Sequence, residues 1–200
     1  VTAPNPRLGI NFTLDPASHL NGFVIDGMGR RLPEEEAPLL LLVYEASSGA
    51  FVSGSNNSFT GGYQFGLSAG NYKFSAVSIY RNSYALQDSL AVAYYEHGTR
   101  FDDANAQTIA LPARTSLKLN DLVVLKANGA IAGTIYTGTS PLPVTGVEYY
   151  VIAFNDSGYM AKAATYFPDL NPLTGEYLLT GLRPGNYYML AALADANGGF

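Results

Sequence analysis

The sequence predicts an all-β chain that contains two β-sandwiches in tandem, and three observations support this prediction. Short apolar runs alternate with clusters of Gly, Pro, Asn and Asp, and no segment shows a long 3.6-residue apolar period. Gly (21 residues) and Tyr (15 residues) are abundant, as expected for many short strands that are joined by turns. Finally, one hairpin pattern rich in Gly and Tyr occurs twice.

The repeated hairpin covers residues 61–74 and 174–190. Each copy reads Gly-x-Tyr, a short apolar run, Gly-Leu-x-x-Gly-Asn-Tyr and a second apolar run, which predicts two strands joined by a tight turn. We expect positive φ angles at Gly70-Asn71 and Gly185-Asn186, because Gly and Asn tolerate that conformation. Tyr72 and Tyr187 follow these turns. Each is expected to bury its ring and to donate its hydroxyl to nearby backbone, as in a tyrosine corner.

The repeat extends beyond the hairpins, because residues 20–25 also match residues 131–136. A period of about 110 residues is too long for a solenoid unit and fits one seven-stranded sandwich. The predicted domains are therefore residues 1–126 and residues 127–200, joined by a short linker at 126–130. The first domain includes a lead-in strand and a divergent insertion at residues 80–106, and the second is expected to be truncated at its C-terminal end.

The strands are predicted from alternating or continuous apolar runs that end at turn residues. The apolar run at 39–44 favours a strand buried on both faces, with a short helix as the alternative. Residues 84–95 are either a short helix or a strand with a long loop. The other predicted strands share this apolar pattern and cover residues 8–14, 20–25, 50–53, 62–79, 104–111, 117–125, 131–136, 148–154, 159–165 and 174–194.

Composition and charge exclude several classes of function. A net charge of −5 disfavours nucleic-acid binding, because few cations are available to neutralise phosphates. The absence of Cys excludes disulfides and thiolate sites. The longest apolar run, residues 38–44, is too short to cross a bilayer, so no membrane insertion is expected in this segment.

Four motifs together resemble the carboxypeptidase regulatory-like domain, which is a transthyretin-like (prealbumin-like), immunoglobulin-like β-sandwich. The motifs are Gly133-Thr-Ile, Pro141-Leu-Pro-Val-Thr-Gly-Val147, Gly175-Glu-Tyr and Gly181-Leu-Arg-Pro-Gly-Asn-Tyr187. The first half resembles a more divergent member, with Ser68-Ala69 where the family pattern has a proline. The resemblance implies tandem accessory modules without catalytic residues, on secreted, cell-surface or periplasmic proteins.

No residue pattern points clearly to catalysis. His97 lies near Glu96 and Asp102 in the sequence, and a histidine beside carboxylates could act as a base or as a metal ligand. Neither His97 nor His19 is accompanied by a nucleophile or zinc-binding motif. We therefore predict no catalytic residues and no enzyme activity, with this neighbourhood as the enzyme alternative.

Calcium is the alternative to the prediction that no cofactor is bound. Oxygen-bearing side chains occur in three loops, as a hard cation requires. The same residue types favour turns by bonding their own backbone, which is the simpler interpretation. The candidate ligands are Asp26, Asp102, Asp103, Asp195 and Asn197.

Tyrosines occur as adjacent pairs at 94–95, 149–150 and 187–188. Neighbours in a strand point to opposite faces, so one tyrosine of each pair should be buried and the other exposed. Exposed tyrosines can stack on sugar rings, and Tyr95 and Tyr149 are the candidate ligand-binding residues. A structural or interface role is the competing interpretation.

The sequence predicts non-catalytic structural or adhesive spacer modules of a larger secreted or cell-surface protein. The alternative is a carbohydrate-binding module that uses exposed tyrosines. The expected partners are other domains of the same polypeptide and protein or polysaccharide at the cell surface. The expected location is extracellular, at the cell surface or in the periplasm.

Overall fold

The computed structural model describes residues 17–81, 89–137, 140–141, 149–166 and 176–193. This part of the chain is all-β, as predicted, and contains no α-helix. The strands before residue 127 are β1 (Ser18–Ile25), β2 (Leu39–Glu45), β3 (Phe51–Asn56), β4 (Gly62–Leu67), β5 (Gly70–Arg81), β6 (Ala93–Tyr94), β7 (Ile109–Leu111), β8 (Ser116–Lys118) and β9 (Leu122–Val123). The later strands are β10 (Gly129–Thr134), β11 (Tyr136–Thr137), β12 (Ser140–Pro141), β13 (Tyr149–Asn155), β14 (Met160–Tyr166), β15 (Glu176–Leu182) and β16 (Tyr187–Leu193). The strand predicted at 8–14 lies outside the described residues.

The first half is an immunoglobulin-like β-sandwich. In one sheet β1 pairs antiparallel with β4 and parallel with β8 and β9, and in the other β2 lies between β3 and β5. The alternating inward side chains of these strands form a core in which Leu20, Leu41 and Phe74 are completely buried. This arrangement follows from the period of two along each strand, which sends one apolar set towards the opposite sheet.

Strand β2 is buried on both faces, which confirms the interpretation of its continuous apolar run. Leu39, Leu41 and Val43 belong to the core of the first sandwich. Leu42 and Tyr44 point the other way and join a second apolar cluster. A strand in this position cannot alternate apolar and polar residues, because both of its faces are covered.

The strand pairing of the first half recurs in the second half. Strand β10 pairs antiparallel with β15, as β1 does with β4. Strand β13 lies between β14 and β16, as β2 lies between β3 and β5. The correspondence agrees with the sequence match between the two halves.

The two halves are joined through a continuous sheet with the strand order β16-β13-β14-β5-β2-β3. The connection is made where Ala163–Thr165 of β14 pair parallel with Ile79–Arg81 of β5. The second apolar cluster contains residues of both halves, including Val77, Val151 and Leu179. The boundary between the domains at 1–126 and 127–200 stays a prediction.

The two tyrosine corners are confirmed. The hydroxyl of Tyr72 donates to the carbonyl oxygen of Ser68 at 2.9 Å, and that of Tyr187 donates to the carbonyl oxygen of Arg183 at 2.6 Å. The positive φ angles predicted at Gly70-Asn71 and Gly185-Asn186, before the two tyrosines, are wrong. Gly70 and Gly185 do not have positive φ, whereas Gly181 has a φ of 74°. Gly70 instead leaves space for the tyrosine, since a Cβ there would lie 3.0 Å from the Tyr72 hydroxyl.

Part of the insertion belongs to the shared sheet, because β6 pairs antiparallel with β5. Residues 89–106 contain the short strand β6 and several turns, and residues 82–88 lie outside the described part. Tyr94 and Ala106 of this segment pack into the second apolar cluster. No described helix is long and apolar enough to span a membrane.

Candidate functional site

An open apolar groove of about 420 Å³ lies where the two halves meet. This volume falls within the range of small-molecule sites, which is roughly 300–1,000 Å³. The β2–β3 hairpin forms one wall and the β13–β14 turn forms the other. We call this feature the aromatic groove. It is lined by Leu40, Leu42, Tyr44, Gly49, Phe51, Phe154, Gly158, Tyr159 and Met160.

The β2–β3 wall of the groove carries the aromatic side chains of Tyr44 and Phe51. Tyr44 and Phe51 are paired across the two strands and therefore share a face. On the same face Gly54 lies opposite Leu42, and a Cβ at Gly54 would be 3.3 Å from the Leu42 side chain. Phe51 is 62% exposed at the rim and can present its ring to a ligand.

Tyr159 forms the opposite wall and is held by aromatic contacts. Its ring stacks on Phe101 with centroids 4.3 Å apart and an interplanar angle of 15°. It meets Tyr44 edge-on at 5.3 Å. A Cβ at Gly49, where φ is 71°, would lie 2.0 Å from the Tyr159 hydroxyl oxygen. Gly49 is therefore required for both the turn and the position of the Tyr159 ring.

The groove is electrically neutral. None of its lining residues carries an acidic or basic side chain. Burial raises the pKa of Tyr44 to about 12, and burial likewise raises the pKa of Tyr159, so both phenols stay protonated at neutral pH. The surface can hold an uncharged apolar face of a ligand.

A second concavity lies on the other side of the β13–β14 turn, and we call it the junction cleft. Arg100 of the insertion donates from Nη2 to Oδ1 of Asp156 at 2.7 Å and to Oγ of Ser157 at 2.9 Å. These bonds connect the two halves directly. The cleft is lined by Val92, Thr99, Arg100, Asn155, Asp156, Ala161, Arg183, Pro184, Gly185, Asn186 and Tyr187.

Glu96 and Asp102, two residues of the enzyme alternative, are bonded to different side chains. Asn120 donates to Oε1 of Glu96 at 2.9 Å, and this hydrogen bond is the main reason that the pKa of Glu96 is lowered. Asp102 pairs with Arg100 at 3.3 Å. His19 and His97 are exposed. Within the described ranges, no three His, Asp or Glu residues are grouped so that they could hold a metal ion.

The described calcium candidates are engaged in turns and ion pairs. Asp26 accepts the backbone N–H groups of Arg30 and Met28, and the bond from Arg30 is the main reason that its pKa is lowered. Asp103 accepts the N–H groups of Asn105 and Thr99, and the first of these is the main cause of its lowered pKa.

Asp102, the remaining described candidate, pairs with Arg100. Asp195 and Asn197 lie outside the described residues. Calcium binding stays a proposal, which calorimetric titration with Ca²⁺ would test.

The tyrosine pairs behave differently from one another. Tyr94 and Tyr95 are 1% and 8% exposed, so the expected exposed ring at Tyr95 is wrong. Strand β6 ends at Tyr94 and a turn follows, which interrupts the alternation of faces. At 187–188 the alternation is confirmed, because Tyr187 is partly buried and Tyr188 is 67% exposed. The side chain of Tyr149 lies outside the described part.

The sequence did not identify the main residues of the groove. Tyr44, Phe51 and Tyr159 come from separate segments, and only the pairing of strands from both halves brings them together. A local signal was available at Tyr44, which ends a run of apolar residues too long for a strand with one covered face.

Comparisons with known proteins give only distant likenesses. No protein-family model and no curated protein matches the chain. Among solved structures, the Bacillus anthracis TIE protein has a TM-score of 0.37 at 12% identity, over 91% of this chain and 29% of that one. This chain therefore spans less than a third of that protein.

Two further solved structures are similar over most of both chains. A DUF3823 family protein from Parabacteroides merdae has a TM-score of 0.32 at 15% identity, over 92% of this chain and 83% of that one. The shaft pilin SpaA from Lactobacillus rhamnosus GG has a TM-score of 0.31 at 7% identity, over 92% and 89%. At these scores the likenesses carry no inference about what this chain binds.

Proposed function

We propose that the chain is a non-catalytic spacer or adhesive segment of a larger secreted or cell-surface protein. The observation that carries this proposal is the shared sheet, in which β14 continues the sheet of the first sandwich by pairing with β5. A continuous sheet resists bending between its halves far better than a flexible linker does. The proposed partners of the chain are other domains of the same polypeptide, together with protein or polysaccharide at the cell surface.

The contacts between the halves support a rigid junction. Lys162 of β14 is 1% exposed, and its Nζ donates to the carbonyl oxygen of Leu90 at 3.2 Å. Arg100 and Asp156 add an ion pair at the surface. Apolar side chains from both halves fill the space between these polar contacts. Polar, ionic and apolar contacts therefore act across the same junction.

The finer family assignment and the location belong to the same proposal. We infer two carboxypeptidase regulatory-like modules from the motifs at 133–135, 141–147 and 175–187. The two tyrosine corners support this assignment, because both copies of the motif make the same hydrogen bond. The proposed location is extracellular, at the cell surface or in the periplasm.

Distance measurements by electron paramagnetic resonance test the rigid spacer. The chain has no Cys, so spin labels attach only at engineered sites. Labels at Ser55→Cys in β3 and Tyr188→Cys in β16 span both halves, and we expect one narrow distance distribution. The pair Ser55→Cys and Lys118→Cys lies within the first half and is the matched control. A broad distribution for the first pair beside a narrow one for the second would overturn the rigid spacer.

Carbohydrate binding is a second candidate function, and the aromatic groove favours it. An exposed Phe51 ring beside Tyr159 offers flat apolar surface without charge, as the apolar face of a neutral sugar requires. The tyrosines expected from the sequence do not supply this surface, because Tyr95 is buried.

A screen of neutral polysaccharides, followed by one matched pair of variants, tests this second function. Phe51→Ala should weaken the binding of a retained polysaccharide roughly threefold to tenfold, because it removes an aromatic contact. Phe59→Ala removes an even more exposed phenylalanine, outside the groove, and should leave binding unchanged. Equal effects of the two variants, or retention of no polysaccharide, would exclude the groove as a sugar site.

A further inference from the structure

Arg183 lines the junction cleft, and no described acidic side chain forms an ion pair with it. Its Nε atom is inaccessible to solvent and has no hydrogen-bond partner. Among the described side chains, the ion pairs of arginines involve only Arg30 and Arg100. A buried donor without an acceptor costs free energy, and a charged one costs more. Arg183 as a whole is only partly buried, so the remainder of its side chain, unlike Nε, is open to a ligand.

The tyrosine corner does not explain the charge at Arg183. The same corner in the first half has Ser68 at the equivalent position. Both residues contribute only their backbone carbonyl oxygen, which accepts the hydroxyl of Tyr72 or Tyr187. Because the first corner forms without an arginine, the Arg183 side chain is available for another role.

The charges around the cleft favour a single anion. Its lining contains Arg100, Asp156 and Arg183, and the first two neutralise each other at 2.7 Å. Asp102 also pairs with Arg100, but its side chain is 62% exposed and does not line the cleft, so water screens its charge. The cation that remains in the lining is Arg183.

The shape of the Arg183 guanidinium indicates which kind of anion it can bind. A guanidinium is a planar fork that matches the two oxygens of a carboxylate. A phosphate dianion would bring a second negative charge close to Asp156 and would be repelled. We propose that the junction cleft binds a carboxylate group, with the Arg183 guanidinium as its principal partner. This assignment does not depend on the aromatic groove or on the spacer role.

Nuclear magnetic resonance of the intact chain tests the assignment. The probes are sodium acetate, sodium glucuronate and, as the uncharged control, glucose. Both carboxylates should shift the Nε–Hε resonance of Arg183 and the backbone amides of Gly185 and Asn186, and glucose should not. A response to acetate alone would assign the site to small free acids, whereas a response to both would extend it to acidic sugars.

Two variants at position 183 distinguish a loss of carboxylate binding from a loss of folding. Arg183→Ser introduces the residue that the first corner has at this position, so the domain should stay folded. The apparent affinity for each carboxylate, measured from the amide shifts, should fall about tenfold or more. Arg183→Lys keeps the charge but loses the fork, and its affinity should be intermediate. Unchanged shifts in Arg183→Ser, no response to either carboxylate, or an equal response to glucose would each overturn the proposal.

Discussion

Gly181→Ala is expected to lower the free energy of unfolding by about 2–5 kcal/mol, because it combines backbone strain with a collision between the two halves. Gly181 has a φ of 74°, which an L-residue adopts at a cost. A Cβ at this position would lie 2.6 Å from the carbonyl oxygen of Leu90 and 2.8 Å from the carbonyl carbon of Ser89. Both contacts are with backbone, which cannot move aside as a flexible side chain can.

Gly158→Ala is the matched control for this effect. Gly158 has a similar φ of 83°, but a Cβ there would meet no atom within 4 Å. It should therefore cost only the backbone strain of about 1–2 kcal/mol. Urea unfolding of both variants beside the parent chain measures the difference. Equal losses would contradict the close approach of Gly181 to residues 89–90 and would weaken the rigid junction.

Stability should fall steeply as the pH rises from 10 towards 12, because buried tyrosines resist ionisation. Burial raises the pKa of Tyr44 from 10.0 to about 12. Below pH 10 the phenol is protonated in both states, and its contribution to stability is complete. Above pH 10 the unfolded chain releases the proton while the folded chain retains it, so this contribution is lost by about pH 12. Two pKa units correspond to about 3 kcal/mol.

Two other buried tyrosines act in the same direction. Burial also raises the pKa values of Tyr63 and Tyr94, so their contributions to stability likewise begin to fall above pH 10. Urea unfolding at a series of pH values measures the loss, and tyrosinate absorbance reports ionisation. Tyr44→Phe should reduce the slope above pH 10, whereas Tyr188→Phe, at an exposed position, should not. Ionisation of every tyrosine near pH 10 in the folded chain would contradict the burial of these rings.

Local patterns were sufficient to predict the fold class and the two corners. The hydroxyl of Tyr72 reaches a carbonyl four residues earlier, and Tyr187 makes the same contact in the second copy. Contacts this short along the chain depend on the turn itself, so a sequence motif determines them. The continuous apolar run in β2 likewise predicted a strand that is covered on both faces.

Local patterns failed where a residue depends on distant parts of the chain. Gly181 belongs to the recognised motif, but the reason that it cannot carry a side chain is the backbone of Leu90. Tyr95 looked like an exposed strand residue, but a turn after β6 directs it into the core. In both cases the sequence shows the local pattern to which the residue belongs. It does not show which parts of the chain will surround that residue in the folded protein.

The sequence alone therefore determined the fold class and the tyrosine corners, because backbone propensity and period-two burial act over a few residues. Only the tertiary structure decided that β14 would pair with β5 and that Tyr44, Phe51 and Tyr159 would line one groove. It also decided that Arg183 would lie beside the Arg100–Asp156 pair. The physical reason is that exposed sheet edges and apolar faces can pair in many ways, and the packing of the whole chain selects among them.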